Sequence, residues 1–132
     1  MLQFIVIATL AVAIVVLSSI RERQRMRQYL DRACAGFRWW RRFPQASKSD
    51  IREFLGIFVE AFGFRQRWRL CFAPDDRVID VYRTLYPIRG TADGMELETL
   101  VSDLQKRYGV DLLQSWREDI TLGEIYEKTH MG

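Results

Sequence analysis

The sequence is poor in the residues that most often carry out chemistry. It has one histidine, His130, and two cysteines, Cys34 and Cys71. His130 lies near the end of the sequence, where we expect a frayed and solvated terminus. The two cysteines are far apart and lack metal-ligand spacing, so we expect reduced thiols and no metal site. No nucleophile, base and orienting group can be recognised together.

Phosphate-binding and calcium-binding motifs are also missing. Gly90 and Gly94 are isolated and do not form a phosphate-cradling loop. Asp75, Asp76 and Asp80 are not followed by the central glycine and closing glutamate of a calcium loop. Capping and solvation explain these three acids. We therefore predict a protein that is not an enzyme and that holds no metal and no cofactor.

The first twenty residues contain no charged side chain. Their polar interruptions are Gln3, Thr9, Ser18 and Ser19. Twenty helical residues reach roughly 30 Å, which is about the hydrocarbon thickness of a bilayer. Lipid supplies no hydrogen-bond partners, so the backbone there must be helical. Residues 1–20 are predicted to be a transmembrane helix of a single-pass protein.

Two other interpretations of this segment are a cleaved signal peptide and a buried helix of a soluble core. A cleaved signal peptide needs basic residues before its apolar region and a small-x-small site after it. Nothing basic precedes Leu2, and Ser18-Ser19-Ile20 runs directly into Arg21. A buried helix of a soluble core is disfavoured by the uncharged length.

Charge is unevenly distributed along the chain. Residues 21–42 hold eight arginines and two acids, a net charge of 8 − 2 = +6. The positive-inside bias therefore places the N-terminus outside and the rest of the chain in the cytoplasm, at the inner (cytoplasmic) membrane. Residues 43–132 hold 12 basic and 15 acidic residues, a net charge of −3. This acidic balance argues against nucleic-acid binding by the domain.

Residues 21–49 are predicted to be a basic and aromatic juxtamembrane helix and linker, with a helix from Arg21 to Ala35 ended by Gly36. The stretch FRWWRRF then alternates aromatic and basic residues, as at a lipid headgroup layer. The candidate lipid-interface residues are Arg38, Trp39, Trp40, Arg41 and Arg42. Alternatively, the arginines only set topology and the tryptophans pack on the domain, because a straight helix would hold them roughly 20 Å from the bilayer. Both interpretations stay open.

Residues 50–130 carry the helical periodicity of a small soluble domain. Ser47 and Asp50 have capping-box spacing and open a helix that is stopped by Gly63. Its apolar stripe consists of Ile51, Phe54, Leu55, Phe58, Val59 and Phe62. Residues 64–94 are predicted to be mainly a long loop, within which a turn leads into a short helix. That helix is expected to bury Val78 or Ile79, Tyr82 and Leu85, and to end before Pro87 and Gly90.

Two further helices complete the predicted domain. One follows Asp93-Gly94 and ends at Gly109, with Leu97, Leu100, Val101, Leu104 and Tyr108 on one side. The other is capped by Thr121 and Glu124 and carries Leu122, Ile125 and Tyr126. Trp116, between the two helices, is expected to anchor the core. The fold class is therefore predicted to be all-α, a small helical bundle after a transmembrane helix.

The order of these elements resembles an acyl carrier protein over about residues 50–130. DIREFLGIFVEAFGF, which begins at Asp50, is similar to the first helix of that family. DGMELETL, which begins at Asp93, stands where the family carries its D-S-L-D-x-x-E-L type motif. LQKRYGVDL (104–112) and DITL (119–122) are similar to its later motifs. The resemblance implies a carrier-like helical bundle that docks on enzymes.

The sequence departs from the family at the attachment site. The family's serine carries phosphopantetheine, but Gly94 occupies that position and has no hydroxyl group to modify. The resemblance thus implies the carrier fold without its prosthetic group. The family docks through the acidic face of this helix, which corresponds here to Glu96, Glu98, Thr99 and Asp103.

Two functions follow as hypotheses. The first is a membrane-tethered, non-catalytic, acyl-carrier-like protein-interaction module, whose partner would be an enzyme of lipid or polyketide biosynthesis. The second is a juxtamembrane protein that binds anionic lipid or organises the membrane, with the soluble domain as an assembly cap. The oligomeric state is not indicated by the sequence.

Overall fold

The computed structural model describes residues 1–86 and 94–131, and only the backbone of residues 22, 23 and 131. The elements in this part of the chain are α1 (Leu2–Leu30), α2 (Gly36–Arg42), α3 (Lys48–Ala61), a first 3-10 helix (Gln66–Cys71), α4 (Val78–Leu85), α5 (Met95–Tyr108), a second 3-10 helix (Leu112–Ser115) and α6 (Leu122–Met131). No strand occurs among the described residues, and one isolated bridge joins Arg77 and Thr121. The predicted all-α class is confirmed.

Helix α3 is the central helix and forms as its sequence predicts. The Ser47 side chain caps it by accepting a hydrogen bond from the Asp50 amide at 3.0 Å. All six residues of the predicted apolar stripe are buried. They pack against the first 3-10 helix on one side and α5 on the other. Burial of each such side chain is worth about 1.5–3 kcal/mol, so this stripe is a main source of stability.

Helices α5 and α6 also match their predicted patterns. Leu100 and Leu104 of α5 are buried, and the other predicted apolar residues of α5 are partly buried. Leu122, Ile125 and Tyr126 of α6 are all buried. The Thr121 hydroxyl caps α6 by accepting from the Glu124 amide at 3.2 Å.

The predicted core role of Trp116 is not what the structure shows. Trp116 is only half-buried, at the edge of the core. Leu112 and Ile120, on either side of it in sequence, are fully buried instead. Leu112, in the second 3-10 helix, and Ile120, after it, thus join this connection to the core.

The predicted long loop after α3 is more ordered than its sequence suggests. It contains the first 3-10 helix, which begins where the Gln66 side-chain amide donates to the Gly56 carbonyl at 3.0 Å. The predicted short helix is present as α4, with Val78, Val81 and Leu85 buried. The predicted helix end before Pro87 and Gly90, and Asp93 before α5, lie outside the described residues.

Helix α1 has an apolar first part that nothing in the domain covers. Residues 1–20 are exposed throughout, and the mean hydropathy of the most apolar stretch of α1 is 2.5. Among the described residues, α1 is the one helix long and apolar enough to cross a membrane. This is compatible with membrane anchoring.

The end of α1 differs from the predicted one. The helix stops at Leu30, not at Ala35, and Gly36 begins α2 instead of ending α1. Its last turns are part of the domain, with Met26 and Tyr29 buried. The cause is an interaction distant in sequence, because Arg32 leaves the helix to bind Asp76. Its guanidinium nitrogens lie 3.0 and 2.5 Å from the two Asp76 carboxylate oxygens.

Helix α2 folds back onto the domain and buries Trp39. The Trp39 indole N–H donates to the Phe72 carbonyl at 2.9 Å, and its side chain is completely buried. Its ring packs against Phe43, Phe54 and Tyr126 at centroid distances of 6.0, 6.1 and 5.8 Å. Residues 21–49 therefore share a core with the helices that follow them.

The end of the chain is better ordered than expected. His130 lies within α6, not in a frayed terminus. Its ring stacks on Tyr126 at 4.0 Å and contacts Tyr108 at 4.9 Å. Its ring thus packs on one buried tyrosine, Tyr126, and one partly buried tyrosine, Tyr108, in the last turns of α6.

The α3 stripe generates a stability prediction. Phe58 is fully buried and contacts Phe62 and Phe72 at centroid distances of 4.7 and 5.1 Å. We expect Phe58→Ala to lower the free energy of unfolding by about 3–5 kcal/mol, because it leaves a cavity in a packed core. Thermal unfolding followed by near-ultraviolet circular dichroism measures this loss. Phe37→Ala is the matched control, since Phe37 is 69% exposed. Equal melting temperatures for the two variants would contradict the prediction.

Tyr108 generates a prediction of pH dependence. Its hydroxyl is buried without a hydrogen-bond partner among the described residues. Burial, with a smaller contribution from the nearby Glu53 carboxylate, raises the pKa of Tyr108 from 10.0 to about 12. An unfolded tyrosine ionises near pH 10. Its contribution to stability is therefore complete below about pH 10 and is lost as the pH rises towards 12.

Tyr108→Phe tests this assignment. The variant should be at least as stable as the natural protein at neutral pH, because it removes an unsatisfied buried hydroxyl group. Its melting temperature should also fall less between pH 10 and 12. Melting curves at these pH values measure both effects, and a steeper alkaline fall in the variant would contradict the assignment.

Candidate protein-docking site

The start of α5 is held by Tyr82 of α4 and by Tyr86, the residue directly after α4. Gly94 is the N-cap of α5 with φ of 75°, a left-handed conformation that favours glycine. Its amide donates to the Tyr82 hydroxyl at 3.1 Å. The Tyr86 hydroxyl donates to the Glu96 carboxylate in the first turn of α5. Tyr82 and Tyr86 pack together at a centroid distance of 5.3 Å, so α4 fixes where α5 begins.

Glu96 is less exposed than its position on the predicted acidic face suggests. It was predicted to lie on an open acidic face, yet it is half-buried and one carboxylate oxygen binds Tyr86. The other oxygen is buried with no hydrogen-bond partner among the described residues. A carboxylate in the first turn is favoured by the helix dipole. Glu96 therefore helps to position α5 and is less accessible than the predicted open face implies.

The other predicted docking residues are more accessible. Glu98 and Thr99 are exposed, and Asp103 is half-buried one turn further along α5. Glu98 faces a cleft that the sequence did not predict. The three residues follow the same helix, but only Glu98 lines this cleft.

The cleft lies along α5 between α4 and the second 3-10 helix. Its volume is about 590 Å³, and apolar side chains form most of its lining. Leu113 is the most exposed of them, at 68%. The lining residues are Ile79, Leu97, Glu98, Val101, Ser102, Gln105, Asp111, Leu113, Trp116 and Glu118. An apolar floor of this kind suits the apolar side chains of a ligand or a partner protein.

The rim of the cleft is acidic. Glu98, Asp111 and Glu118 line it, and none of the described residues that line it is basic. Glu118 makes a loose, exposed ion pair with Arg83 at 3.7 Å, and the Asp111 carboxylate accepts from the Leu113 amide at 3.1 Å. An apolar floor with an acidic rim is complementary to a surface with apolar and basic side chains.

Sequence reasoning missed most of this cleft because its walls come from three segments. One signal was present: of two consecutive leucines, Leu112 can face the core only if Leu113 faces away. The structure buries Leu112 completely and exposes Leu113. That Leu113 and Trp116 line the same cleft could not be inferred without the fold.

The predicted lipid-interface residues are divided between the core and the surface. Trp39 was predicted among them, but it is a core residue, which corrects that assignment. Trp40 is half-buried beneath the Lys48 ammonium, 4.1 Å from the ring centroid. Arg41 is exposed. Arg38 and Arg42 lie 2.7 and 3.6 Å from the Asp75 carboxylate.

The described residues include no metal-binding group, and their two cysteines are free, Cys34 exposed and Cys71 half-buried. No group of three or more His, Cys, Asp or Glu residues in them could hold a metal ion. Burial raises the pKa of the Cys71 thiol, and its sulfur lies 3.7 Å from the Leu30 carbonyl. Since the thiolate is the reactive form, this shift makes Cys71 a poor nucleophile.

Comparison with known proteins gives one partial similarity. The small subunit of propanediol dehydratase from Citrobacter freundii is 34% identical over 61 residues, which are 46% of this chain and 34% of that subunit. The chain thus spans about a third of the length of this curated relative. No family model matches the chain. No solved structure matches it either.

Proposed function

We propose that this protein is a membrane-tethered, non-catalytic module that binds another protein through the cleft beside α5. The main observation that supports this proposal is the cleft itself, with its apolar floor and its rim of Glu98, Asp111 and Glu118. A partner would insert apolar side chains and place basic groups against the rim. This arrangement, an apolar centre within a polar border, is typical of protein interfaces.

We further propose that the domain is acyl-carrier-like and lacks the prosthetic group. The order of α3, a connection that contains the first 3-10 helix and α4, then α5, a short helical turn and α6 supports this proposal. So does the position of Gly94 at the first turn of α5, where the family bears its modified serine. The absence of a hydroxyl there leaves recognition by surface contacts. The partner we propose is an enzyme of lipid or polyketide biosynthesis.

The membrane tether in this proposal is α1. Its uncovered apolar residues support a single span, and the arginines that follow support an outside N-terminus with the domain in the cytoplasm. The alternative lipid-binding function was based on residues 38–42. Burial of Trp39 and the contacts of Arg38 and Arg42 with Asp75 weaken the hypothesis that residues 38–42 bind lipid.

The dehydratase similarity is compatible with a binding role. By its name, that relative is one subunit of a larger enzyme, and so a chain that associates with others. A subunit name is not itself an indication of catalysis. The similarity covers too little of either chain to assign a substrate here.

The absence of a prosthetic group is directly testable. When the full chain is produced in a host that supplies a phosphopantetheinyl transferase, we expect its intact mass to show no added phosphopantetheine. Gly94→Ser is the matched variant and should acquire the group. A Cβ at this position meets nothing within 4 Å, although its φ of 75° will cost the serine about 1–2 kcal/mol. Modification of the natural protein would contradict the proposal.

Docking can be tested by photocrosslinking in the native membrane. A photoreactive amino acid at Leu113 should form an adduct with a specific protein, because this side chain is exposed at the cleft. Reversing two rim charges with Glu98→Lys and Glu118→Lys should weaken that adduct by more than about tenfold, since like charges then face each other. Mass spectrometry would identify the captured protein.

Two controls distinguish the cleft from the general surface. Glu60→Lys with Glu127→Lys changes net charge equally at two exposed sites that do not line the cleft, and should leave the adduct intact. The photoreactive group at Arg52, exposed on α3, should not capture the same protein. Identical adducts from positions 113 and 52, or an adduct unaffected by rim reversal, would exclude the cleft as the docking site.

A further inference from the structure

A second cleft opens beside the part of α1 that leaves the apolar segment. It lies between α1 and the first 3-10 helix and has a volume of about 630 Å³. Ser19, at the end of the apolar segment, lines it together with residues about two turns further along α1. Unlike the cleft beside α5, it has polar and apolar lining in similar proportion.

Three arginines make this cleft basic. Arg27, Arg65 and Arg67 line it with one acid, Asp31, so the charged lining has a net charge of 3 − 1 = +2. All three arginines are exposed, and none has an ion pair among the described residues. The Arg67 guanidinium lies over the Trp68 ring at 4.6 Å, which leaves its charge available.

Several other arginines of the domain are already paired, Arg38 and Arg42 with Asp75 and Arg32 with Asp76. Arg27, Arg65 and Arg67 have no such partner among the described residues, and they lie together at one cleft beside the apolar segment. Guanidinium groups prefer planar, multidentate oxygen anions such as phosphate.

The depth of the cleft matches the headgroup layer of a bilayer. Arg27 follows the last apolar residue, Ile20, by seven helical residues, which is a rise of about 10 Å. The polar layer on each side of a bilayer extends roughly 5–8 Å beyond the hydrocarbon. An arginine side chain can reach back over the remaining distance. Trp68 is half-buried at the same cleft, and tryptophan favours this layer.

We infer that this cleft binds the headgroup of an anionic membrane lipid, with the phosphate contacted by Arg27, Arg65 and Arg67. The acyl chains would lie along the exposed apolar residues of α1. Asp31 can accept hydrogen bonds from headgroup hydroxyl groups, which favours a glycerol headgroup. This inference rests on the membrane tether of the proposed function but uses a surface separate from the docking cleft.

The test uses the full chain in nanodiscs of phosphatidylcholine mixed with phosphatidylglycerol. After release from the disc, native mass spectrometry should show phosphatidylglycerol retained in preference to phosphatidylcholine. Each arginine should contribute about fivefold to this retention. The variant with Arg27→Gln, Arg65→Gln and Arg67→Gln should therefore lose it almost completely, and the three corresponding lysine substitutions should keep most of it.

Arg52→Gln is the control for loss of charge elsewhere, because Arg52 is exposed on α3 and does not line the cleft. It should retain lipid like the natural protein. Equal loss in this control, or undiminished retention in the glutamine triple variant, would overturn the assignment. Competition by soluble glycerol phosphate would also overturn it, since the cleft would then take a free phosphate ester and not a lipid.

Extraction at alkaline pH separates the two proposals. A chain that alkali removes from the membrane has no tether, which would refute both the proposed function and the lipid site. A chain that resists extraction but shows no preference for phosphatidylglycerol would refute the lipid site alone.

Discussion

Asp76 joins three parts of the chain that are distant in sequence. Its carboxylate binds the Arg32 guanidinium through both oxygens and accepts from the Ala73 amide at 2.7 Å. Its backbone carbonyl accepts from the Leu122 amide at 2.9 Å. The Asp76 side chain is 12% exposed and that of Arg32 is 31% exposed. A partly desolvated, bidentate pair of this kind is stronger than a surface ion pair.

The rest of the architecture depends on this junction. Arg32 turns the chain out of α1, so that α2 can fold back and bury Trp39 against α3 and α6. The same residue, Asp76, holds the segment before α4 against the beginning of α6. Gly123 allows a close approach there, since a Cβ on it would lie 3.0 Å from Pro74 and even closer to Arg42. The apolar end of α1, the cleft beside α5 and the cleft beside α1 are thereby arranged around one core.

The parts of the fold that were predictable are those fixed by local sequence. The α3 stripe, the Ser47 and Thr121 caps and the glycine at the end of α5 depend on spacing within one or two helical turns. The first 3-10 helix was not predictable, because its start needs the Gly56 carbonyl and its end needs the Ala35 amide, which donates to Leu70 at 2.7 Å. The alternation of apolar residues there is compatible with a short strand, but the sequence offers no second strand to pair with it, and a long loop was therefore predicted.

The site was predictable only in part for the same reason. The helix that carries Glu98 and the position of Gly94 followed from the sequence. The inward turn of Glu96 depends on Tyr86, and the cleft depends on where Leu113 and Trp116 meet α5. Composition alone also could not show that Trp39 is buried and Trp40 only half-buried, since adjacent residues on a helix face different directions.

The continuity of α1 has a mechanical consequence. A single helix runs from the apolar segment to Tyr29, a core residue, without a proline or glycine between them. A domain on a flexible linker sweeps a large volume and can visit several partners in turn. With α1 as the membrane tether that we propose, the domain would instead move together with the helix, at a nearly constant height above the surface. A protein partner would then approach laterally with its own recognition site at that height, and its search would be two-dimensional.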